Sequence, residues 1–185
     1  MNAQKIIFPG TIFVILFLYF FTGLISSPRV AWASSNPVEN ISSSPLTSIY
    51  LSMKFPQSIQ KWKDLIEIAA KNNNLNPNLI ASVIMQESGG DPSAFSSSGA
   101  VGLMQVMSSD GLAANFLCEG VPCFQNRPTI QSLFDPEFNI NFGSSLLTGL
   151  INKYQDWREG LFAYGPYNIG YSYADIVLQI YSSYQ

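Results

Sequence analysis

Glu87 is the residue whose type and position could do acid–base chemistry. Ile80, Val83, Ile84 and Glu87 fall at i, i+3, i+4 and i+7, so on a helix the carboxylate continues an apolar stripe. Burial disfavours the charged form of a carboxyl group, and the partial negative charge at the end of a helix acts in the same direction. Both effects raise the pKa, and a carboxylic acid that stays protonated near neutral pH is a general acid. The alternative is a glutamate at the edge of the stripe that points into water.

The element that must position this acid is a helix with clear start and stop signals. Asn76 is a favourable N-cap, Pro77 suits the first helical position, and the pair Gly89-Gly90 ends the helix. The sequence therefore predicts that Glu87 lies in the last helical turn.

The composition limits the other chemistry that the chain can do. The sequence contains no histidine, which excludes Ser-His-Asp and Cys-His nucleophile systems, histidine-ligated zinc and histidine general bases. Acid–base work then falls to carboxylates and tyrosines. We expect no metal and no other cofactor.

A segment rich in small residues, DPSAFSSSGAVGLMQVM, follows the predicted acid helix. Gly99 and Gly102 permit backbone conformations and close approaches that a side chain would prevent. The segment could therefore bring backbone groups and Gln105 against a ligand. The structural alternative is a tight loop with a short hairpin.

Four tyrosines lie close together in the C-terminal third, at positions 164, 167, 171 and 173. The usual role of such residues is half-buried packing. Sugar-binding grooves use the same residues because an aromatic ring covers the apolar face of a pyranose. The sequence alone leaves both interpretations open.

The N-terminus has the pattern of an export signal. Residues 6–25 are almost wholly apolar after Lys5, and Ala31-Trp32-Ala33 gives the small-x-small pattern of a cleavage site. We interpret residues 1–33 as a signal peptide that directs the chain to the cell envelope or the exterior. The alternative is an uncleaved membrane anchor, because about 20 apolar residues can span a bilayer.

The rest of the chain divides into a tether and a folded domain. Residues 34–57 are rich in Ser, Pro and Asn and predict a flexible tether, whereas residues 58–185 predict one folded domain. Without residues 1–33 the net charge is about −5, and the cations are scattered. Such a chain is a poor candidate for binding nucleic acid or anionic membrane surfaces.

Apolar periodicity predicts a mainly α-helical class. A first helix starts near Ser58 and ends at Asn72-Asn73-Asn74, before the acid helix. Asp135-Pro136-Glu137 repeats the signals of a helix start. Shorter helices are predicted up to Gly165-Pro166 and again near the C-terminus, and no strand signal exceeds four or five residues. Small residues at positions 143–145 predict close packing against a neighbour.

Cys118 and Cys123 are the only cysteines. In an exported protein, two cysteines at this spacing predict a small disulfide-closed loop. Two free thiols are the alternative.

Three short motifs occur in a set order: Glu87-Ser88, then Gly102-Leu103-Met104-Gln105, then Ala163-Tyr164. In this order and spacing they resemble the lytic transglycosylases of the soluble lytic murein type, over roughly residues 62–181. The resemblance implies a goose-type-lysozyme-like helical domain with a short irregular β/loop segment after the catalytic helix. It also implies a monomer that acts on peptidoglycan glycan strands.

The resemblance assigns roles to individual residues. It implies that Glu87 is the catalytic acid and base, that Ser88 supplies the hydroxyl beside it, and that Tyr164 hydrogen-bonds and orients the acid. The predicted substrate-binding residues are Gly102, Met104, Gln105, Ala163 and Tyr173. The family usually has Asn after the Ala-Tyr pair, but this chain has Gly165-Pro166. Asn168 or the stretch 171–173 is the expected replacement.

The inventory of carboxylates bears on the reaction. A glycoside hydrolase commonly uses a second carboxylate about 5 to 9.5 Å from the acid. Near the first two motifs only Asp91 and Asp110 are available, and Asp91 belongs to an Asp-Pro turn. A single acid that forms a 1,6-anhydro product fits better, while a lysozyme-like muramidase and a catalytically silent peptidoglycan-binding module remain the alternatives.

Overall fold

Seven helices and two short hairpins follow one another along residues 49–185, the part of the chain that the computed structural model describes. The helices are α1 (Gln57–Gln60), α2 (Lys63–Asn73), α3 (Pro77–Ser88), α4 (Ile130–Leu133), α5 (Pro136–Tyr154), α6 (Trp157–Tyr164) and α7 (Ser172–Ser183). Short 3-10 helices cover Gly111–Asn115 and Tyr167–Ile169. The predicted signal peptide and residues 34–48 of the predicted tether lie outside the described residues.

Two two-stranded antiparallel hairpins interrupt the helices between α3 and α4. In the first, β1 (Ala100–Val101) pairs with β2 (Val106–Met107), and in the second, β3 (Leu117–Cys118) pairs with β4 (Val121–Pro122). The predicted class is therefore confirmed: the domain is mainly helical, with a short β/loop segment after the acid helix.

Helix α3 lies at the centre of the domain because its apolar residues fill most of two turns. Leu79, Ile80, Val83 and Ile84 are fully buried, and the helix packs against α2 on one side and α7 on the other. Helix α5 packs against α2 and α6. The core thus brings α2 and α7, from the early and late parts of residues 49–185, together around the helix that carries Glu87.

The folded domain begins earlier than the sequence predicts. Leu51 and Phe55 are each only 3% exposed, although they fall within the predicted tether. The Leu51 amide donates to Glu67 Oε1 at 2.8 Å, and the Phe55 ring stacks on Tyr184 with centroids 4.5 Å apart. Two apolar residues among serines and a proline have too little periodicity to predict an element, yet they bury enough surface to fix the segment.

The first predicted helix is divided in two. The chain forms α1, passes through Lys61, and begins again after Trp62, which acts as N-cap of α2 without a side-chain hydrogen bond. The indole of Trp62 instead donates to the Gly90 carbonyl at 3.0 Å. None of the helices between residues 49 and 185 is long and apolar enough to cross a bilayer.

Candidate active site

Glu87 lies in the last turn of α3, as the sequence predicts. At the start of this helix the Asn76 side chain accepts from the Asn78 amide at 2.9 Å, with Pro77 at the first helical position. At its end Gly89 takes a left-handed conformation with φ of 62°. Local capping residues therefore specify where α3 begins and ends, and this places Glu87 in its last turn.

Gly90, the residue after Gly89, anchors the end of α3 against α1. Gly90 has φ of 92°, and a Cβ at this position would lie 2.2 Å from the Ser58 carbonyl oxygen. A residue with a side chain could not occupy this position without moving the backbone. The close approach holds the acid turn against α1.

The Glu87 side chain is half-buried and has one hydrogen-bond partner among the described residues. The Tyr173 hydroxyl, on α7, donates to Glu87 Oε1 at 2.6 Å. Burial raises the pKa of Glu87 to about 7, and the hydrogen bond from Tyr173 acts in the opposite direction. Near neutral pH the carboxyl group is therefore present in both its protonated and its charged form. A group with this property can first donate a proton and then accept one.

The tyrosine that contacts the acid differs from the one predicted. The Tyr164 hydroxyl donates to the Met104 carbonyl at 2.9 Å, not to Glu87. The prediction that Tyr164 makes the orienting hydrogen bond is therefore wrong, because Tyr173 occupies that position. Tyr164 stays close to the acid, since the Glu87 charge contributes, after burial, to raising the pKa of Tyr164.

Gly165 explains why Tyr173 can reach the acid. A Cβ at Gly165 would lie 2.4 Å from both Cγ and Cδ1 of the Tyr173 ring. The ring thus covers the place where the family usually has the side chain of Asn. Of the two replacements that the sequence predicts, the stretch 171–173 places the Tyr173 ring over Gly165, whereas Asn168 is exposed.

Ser88 joins the end of α3 to the glycine-rich segment. Its hydroxyl lies 2.8 Å from the Leu103 carbonyl and 3.2 Å from the Ile84 carbonyl, and it accepts from the Gly90 amide at 3.2 Å. The side chain is thus saturated by backbone groups. Ser88 holds the loop against the acid helix.

Asn139, on α5, holds the same loop and is not among the site residues predicted from the sequence. This fully buried side chain donates to the carbonyls of Val101 and Leu133 and accepts from the Met104 amide, all at 2.8 Å. A polar residue four positions before Gly143, on the buried face of a helix, is the signal that could have found it.

Three of the predicted substrate-binding residues, Gly102, Met104 and Tyr173, are enclosed by the protein. Met104 is fully buried, and a Cβ at Gly143 would lie 2.6 Å from its sulfur. Gly102 is buried too, and a Cβ there would lie 2.4 Å from Nδ2 of Asn139. The side-chain positions of Met104 and Gly102 therefore face the core, which differs from their predicted role in binding substrate. The predicted close packing is confirmed at Gly143 and Ser144, whereas Ser145 is exposed.

Gln105 and Ala163 are half-buried and remain candidates for contact with a ligand. Gln105 takes a left-handed conformation with φ of 45°, which is uncommon for a residue with a side chain. Its Nε2 donates to the carbonyls of Ala94 and Gly102 at 3.1 and 3.0 Å. Both amide hydrogens are thereby used, so Oε1 is the atom left for an external donor.

The two other carboxylates near the motifs are engaged elsewhere. Asp91 Oδ1 accepts from the amide and the hydroxyl of Ser93 at 2.9 and 2.7 Å, and these hydrogen bonds lower the pKa of Asp91. Asp110 Oδ1 accepts from the Ile130 amide at 2.8 Å. Within residues 49–185 no group of three or more His, Cys, Asp or Glu residues could hold a metal ion.

A cavity of about 1020 Å³ opens at the other end of α3. Its lining includes Asn76 and Pro77 at the start of that helix, with Glu67 from α2 and Trp157 from α6. Glu87 does not line this cavity, and a helix of this length separates the two ends by about 16 Å. The candidate active site is therefore the C-terminal end of α3, not the cavity.

The predicted disulfide between Cys118 and Cys123 is present and closes the β3–β4 hairpin. The amide of Cys123 donates to the Phe116 carbonyl at 2.8 Å. The hairpin tip is exposed at Leu117 and Val121. It lies in the excursion between the glycine-rich segment and α4.

The fold and the site define a helical domain of lysozyme-like fold with a half-buried glutamic acid at the end of its central helix. The chain belongs to the family described as Transglycosylase SLT domain, whose model matches residues 64–175. The matched region includes every motif from Glu87 to Tyr173.

Individual relatives agree with this family. The chain is 36% identical over 97 residues to membrane-bound lytic murein transglycosylase E of Buchnera aphidicola subsp. Acyrthosiphon pisum, covering 52% of this chain and 42% of that protein. It is 31% identical over 140 residues to the protein of the same name from Buchnera aphidicola subsp. Baizongia pistaciae, covering 76% and 63%. A transglycosylase of Enterobacteria phage PRD1 is 33% identical over 104 residues, covering 56% and 34%. The chain thus spans less than two thirds of each of these relatives.

Two solved structures have the same fold. The lytic transglycosylase Slt of Pseudomonas aeruginosa superposes with a TM-score of 0.53 at 21% identity, over 70% of this chain and 24% of that chain. The 70 kDa soluble lytic transglycosylase Slt70 of Escherichia coli gives the same TM-score at 22% identity, over 66% and 24%.

Proposed function

We propose that this chain is a peptidoglycan lytic transglycosylase. It cleaves the β-1,4 bond between N-acetylmuramic acid and N-acetylglucosamine without water and leaves a 1,6-anhydro end. The observation that carries this proposal is the carboxyl group of Glu87, which is half-buried, held by the Tyr173 hydroxyl at 2.6 Å, and raised in pKa to about 7. Membership of the transglycosylase family and the names of the relatives support it.

In the first step Glu87 acts as the acid. Its proton passes to the glycosidic oxygen, the bond between that oxygen and C1 of the muramyl residue breaks, and N-acetylglucosamine leaves with a free 4-hydroxyl group. Positive charge develops at C1, next to a carboxylate that has just formed. A carboxyl group with a pKa near 7 is protonated often enough at neutral pH to start this step.

In the second step the same residue acts as the base. The Glu87 carboxylate takes the proton from the C6 hydroxyl of the muramyl residue, and O6 forms a bond with C1. The ring closes, no water is consumed, and Glu87 is protonated again. The Tyr173 hydrogen bond stabilises the carboxylate between the two steps and keeps its oxygen atoms in one orientation.

The carboxylate inventory favours this route over hydrolysis. A hydrolase commonly needs a second carboxylate to act as a nucleophile or to activate water. Asp91 and Asp110 are the carboxylates nearest in sequence to the first two motifs. Asp91 accepts hydrogen bonds from Ser93 in its own turn, and Asp110 accepts one from the Ile130 amide at the start of α4. One acid that serves twice needs neither of them.

Mass spectrometry of the products released from purified sacculi tests the proposal. We expect muropeptides that are one water lighter than the products of a muramidase, and we expect none from the Glu87→Gln variant. Products with reducing ends would instead identify a lysozyme-like hydrolase. Binding to sacculi without release of any product would identify a peptidoglycan-binding module.

We further propose that the chain is exported and acts in the cell envelope, where its proposed substrate lies. The apolar residues 6–25 and the Ala31-Trp32-Ala33 pattern support this location. Intact-mass analysis of the protein from the producing cell tests cleavage after Ala33. A full-length chain in the membrane fraction would support the anchor instead.

A further inference from the structure

Arg127 is a cation without a carboxylate partner in the described part of the chain. The two arginines of residues 49–185 differ sharply in this respect. Arg158 forms a bidentate pair with Asp175 at 2.6 and 3.0 Å, whereas the Arg127 guanidinium makes neither an ion pair nor a hydrogen bond with any described residue. The domain is acidic, so an unpaired arginine is an available anion-binding group.

The position of the Arg127 guanidinium is fixed by two aromatic rings. Its Cζ lies 5.9 Å from the centroid of Phe124 and 6.0 Å from that of Phe142 on α5. Both distances are within the range of cation–π contact. Such a group is partly removed from water and oriented before any ligand arrives, which lowers the entropy that binding must cost.

The backbone around Arg127 is held as firmly as its side chain. The Arg127 amide donates to the Phe124 carbonyl at 2.9 Å, and the adjacent Pro128 carbonyl accepts from the Ser109 amide at 2.9 Å. Phe124 itself packs edge-on against Phe116, beside the disulfide-closed hairpin, with centroids 6.1 Å apart. The hairpin thus provides a rigid base for the arginine.

The site lies next to the acid machinery. Phe142 directly precedes Gly143, which contacts Met104, and the Met104 carbonyl accepts the Tyr164 hydroxyl. Burial lowers the pKa of Arg127 and the nearby Tyr164 acts in the opposite direction, which places the guanidinium within electrostatic reach of that tyrosine. An anion bound by Arg127 would therefore lie on the side of the site that Tyr164 and Met104 form.

We propose that Arg127 binds a carboxylate of the peptide that the substrate carries, and that it selects glycan strands with free peptide carboxylates. This inference rests on the proposed function. In peptidoglycan the short peptides are attached to the muramyl residues, so their carboxylates are the anions nearest to the bond that Glu87 would cleave. A guanidinium matches a carboxylate in geometry and can form two parallel hydrogen bonds with it.

The test uses soluble glycan oligomers whose peptide carboxylates are either free or converted to primary amides. For the full chain we expect kcat/KM to fall about 10-fold or more on the amidated oligomer, the usual size of a lost charge-assisted hydrogen bond. The kcat/KM of Arg127→Gln on both substrates should equal, within about 2-fold, the kcat/KM of the full chain on the amidated oligomer. The preference of Arg127→Lys for free carboxylates should lie between those of the full chain and Arg127→Gln. Lys153→Gln is the matched control, because it removes an exposed cation elsewhere and should keep the full preference.

Two results would overturn the proposal. The wild-type chain could cleave both oligomers with the same kcat/KM, or Arg127→Gln could keep the wild-type preference for free carboxylates, whatever its overall activity. Binding of the same oligomers to Glu87→Gln, measured by fluorescence anisotropy, separates this proposal from the proposed reaction. If no 1,6-anhydro product forms at all, binding still decides the role of Arg127. Glu87→Gln should bind the oligomer with free carboxylates more tightly than the amidated one, and the double variant Glu87→Gln/Arg127→Gln should lose this preference.

Discussion

Two tyrosines from adjacent helices approach the acid, and their hydroxyl groups end in different places. On α6 the Tyr164 hydroxyl donates to the backbone carbonyl of Met104, and on α7 the Tyr173 hydroxyl donates to the Glu87 carboxyl group. The two residues are of the same type and both are close to the acid. One fixes the loop that faces Glu87, whereas the other fixes Glu87 itself.

This difference assigns separate physical roles to the two sides of the site. A hydrogen bond to a backbone carbonyl affects the position of the loop, and its loss should cost stability without changing the proton affinity of Glu87. A hydrogen bond to a carboxylate stabilises the charged form, and it lowers the pKa of Glu87 against the effect of burial. The two sides can therefore be separated by pH dependence.

The largest expected effect comes from removing the acid itself. Glu87→Gln keeps the shape and the hydrogen bond from Tyr173 but has no proton to donate, so lysis of sacculi should fall by at least about 100-fold. The release of soluble muropeptides measures this loss. Residual lysis at about a tenth of the wild-type rate or more would contradict a mechanism with a single acid.

The same variant should gain stability at alkaline pH. The pKa of Glu87 is about 7 in the folded chain and 4.5 as its ordinary value. Below pH 4.5 Glu87 is protonated in both the folded and the unfolded chain, so its ionisation does not affect stability. Between pH 4.5 and about 7 only the folded chain keeps the proton, so the free energy of unfolding falls as pH rises. Above pH 7 the wild-type chain has lost about 3 kcal/mol of unfolding free energy, which Glu87→Gln does not lose because it has no ionisable group there.

Chemical denaturation at several pH values measures this gain. The difference in unfolding free energy between Glu87→Gln and wild type should grow from pH 5 to about pH 7.5 and then stay constant. Glu137→Gln, which removes an exposed carboxylate on α5, serves as the control. A difference that does not vary with pH would mean that Glu87 is not shifted in the folded chain.

Tyr173→Phe should be the next most severe change. It deletes the hydrogen bond to the acid and keeps the ring that covers Gly165, so stability should fall by only about 1 kcal/mol. Lysis should fall about 10- to 100-fold, because a misaimed acid loses stabilisation of the transition state. Tyr164→Phe should lose less activity than Tyr173→Phe in the same assay, and the reverse order would contradict the division between the two sides.

Gly165→Ala should disturb the Tyr173–Glu87 contact but not the Tyr164–Met104 contact. Its loss of activity should be smaller than that of Tyr173→Phe. The added Cβ would lie 2.4 Å from the Tyr173 ring, so the ring must move away and its hydroxyl must leave Glu87 or stretch the bond. We expect a loss of about 10-fold in lysis, as for a small displacement of a positioning group. Gly149→Ala provides the control, because a Cβ there would meet nothing within 4 Å. Equal activity of the two variants would show that the Tyr173 ring has room to adjust.

The sequence predicts the acid helix well because its signals are local. Asn76, Pro77 and Gly89 act on their own turns, and the apolar stripe specifies which face of α3 is buried. These signals give both the position of Glu87 and the direction of its pKa. The order and spacing of the motifs then predict the family, since those motifs occur on neighbouring elements of one fold.

The choice between the two tyrosines depends on contacts that no local signal records. Tyr173 reaches Glu87 only because Gly165, eight residues earlier, leaves room for the ring. Met104 is turned into the core because Gly143 on α5 admits its sulfur, which the motif alone could not reveal. Motifs identify residue types near a site, whereas these contacts depend on how distant helices pack.

The pH dependence of kcat/KM, measured for wild type, Tyr173→Phe and Tyr164→Phe on a soluble glycan oligomer, tests most directly the claim that Tyr173 holds the acid. In wild type we expect activity to fall as pH rises through about 7, because Glu87 must be protonated in the free enzyme. Loss of the Tyr173 hydrogen bond should move this alkaline limb to higher pH, since that bond lowers the pKa of Glu87. Tyr164→Phe should leave the limb in place. A limb that moves in Tyr164→Phe and not in Tyr173→Phe would contradict the account.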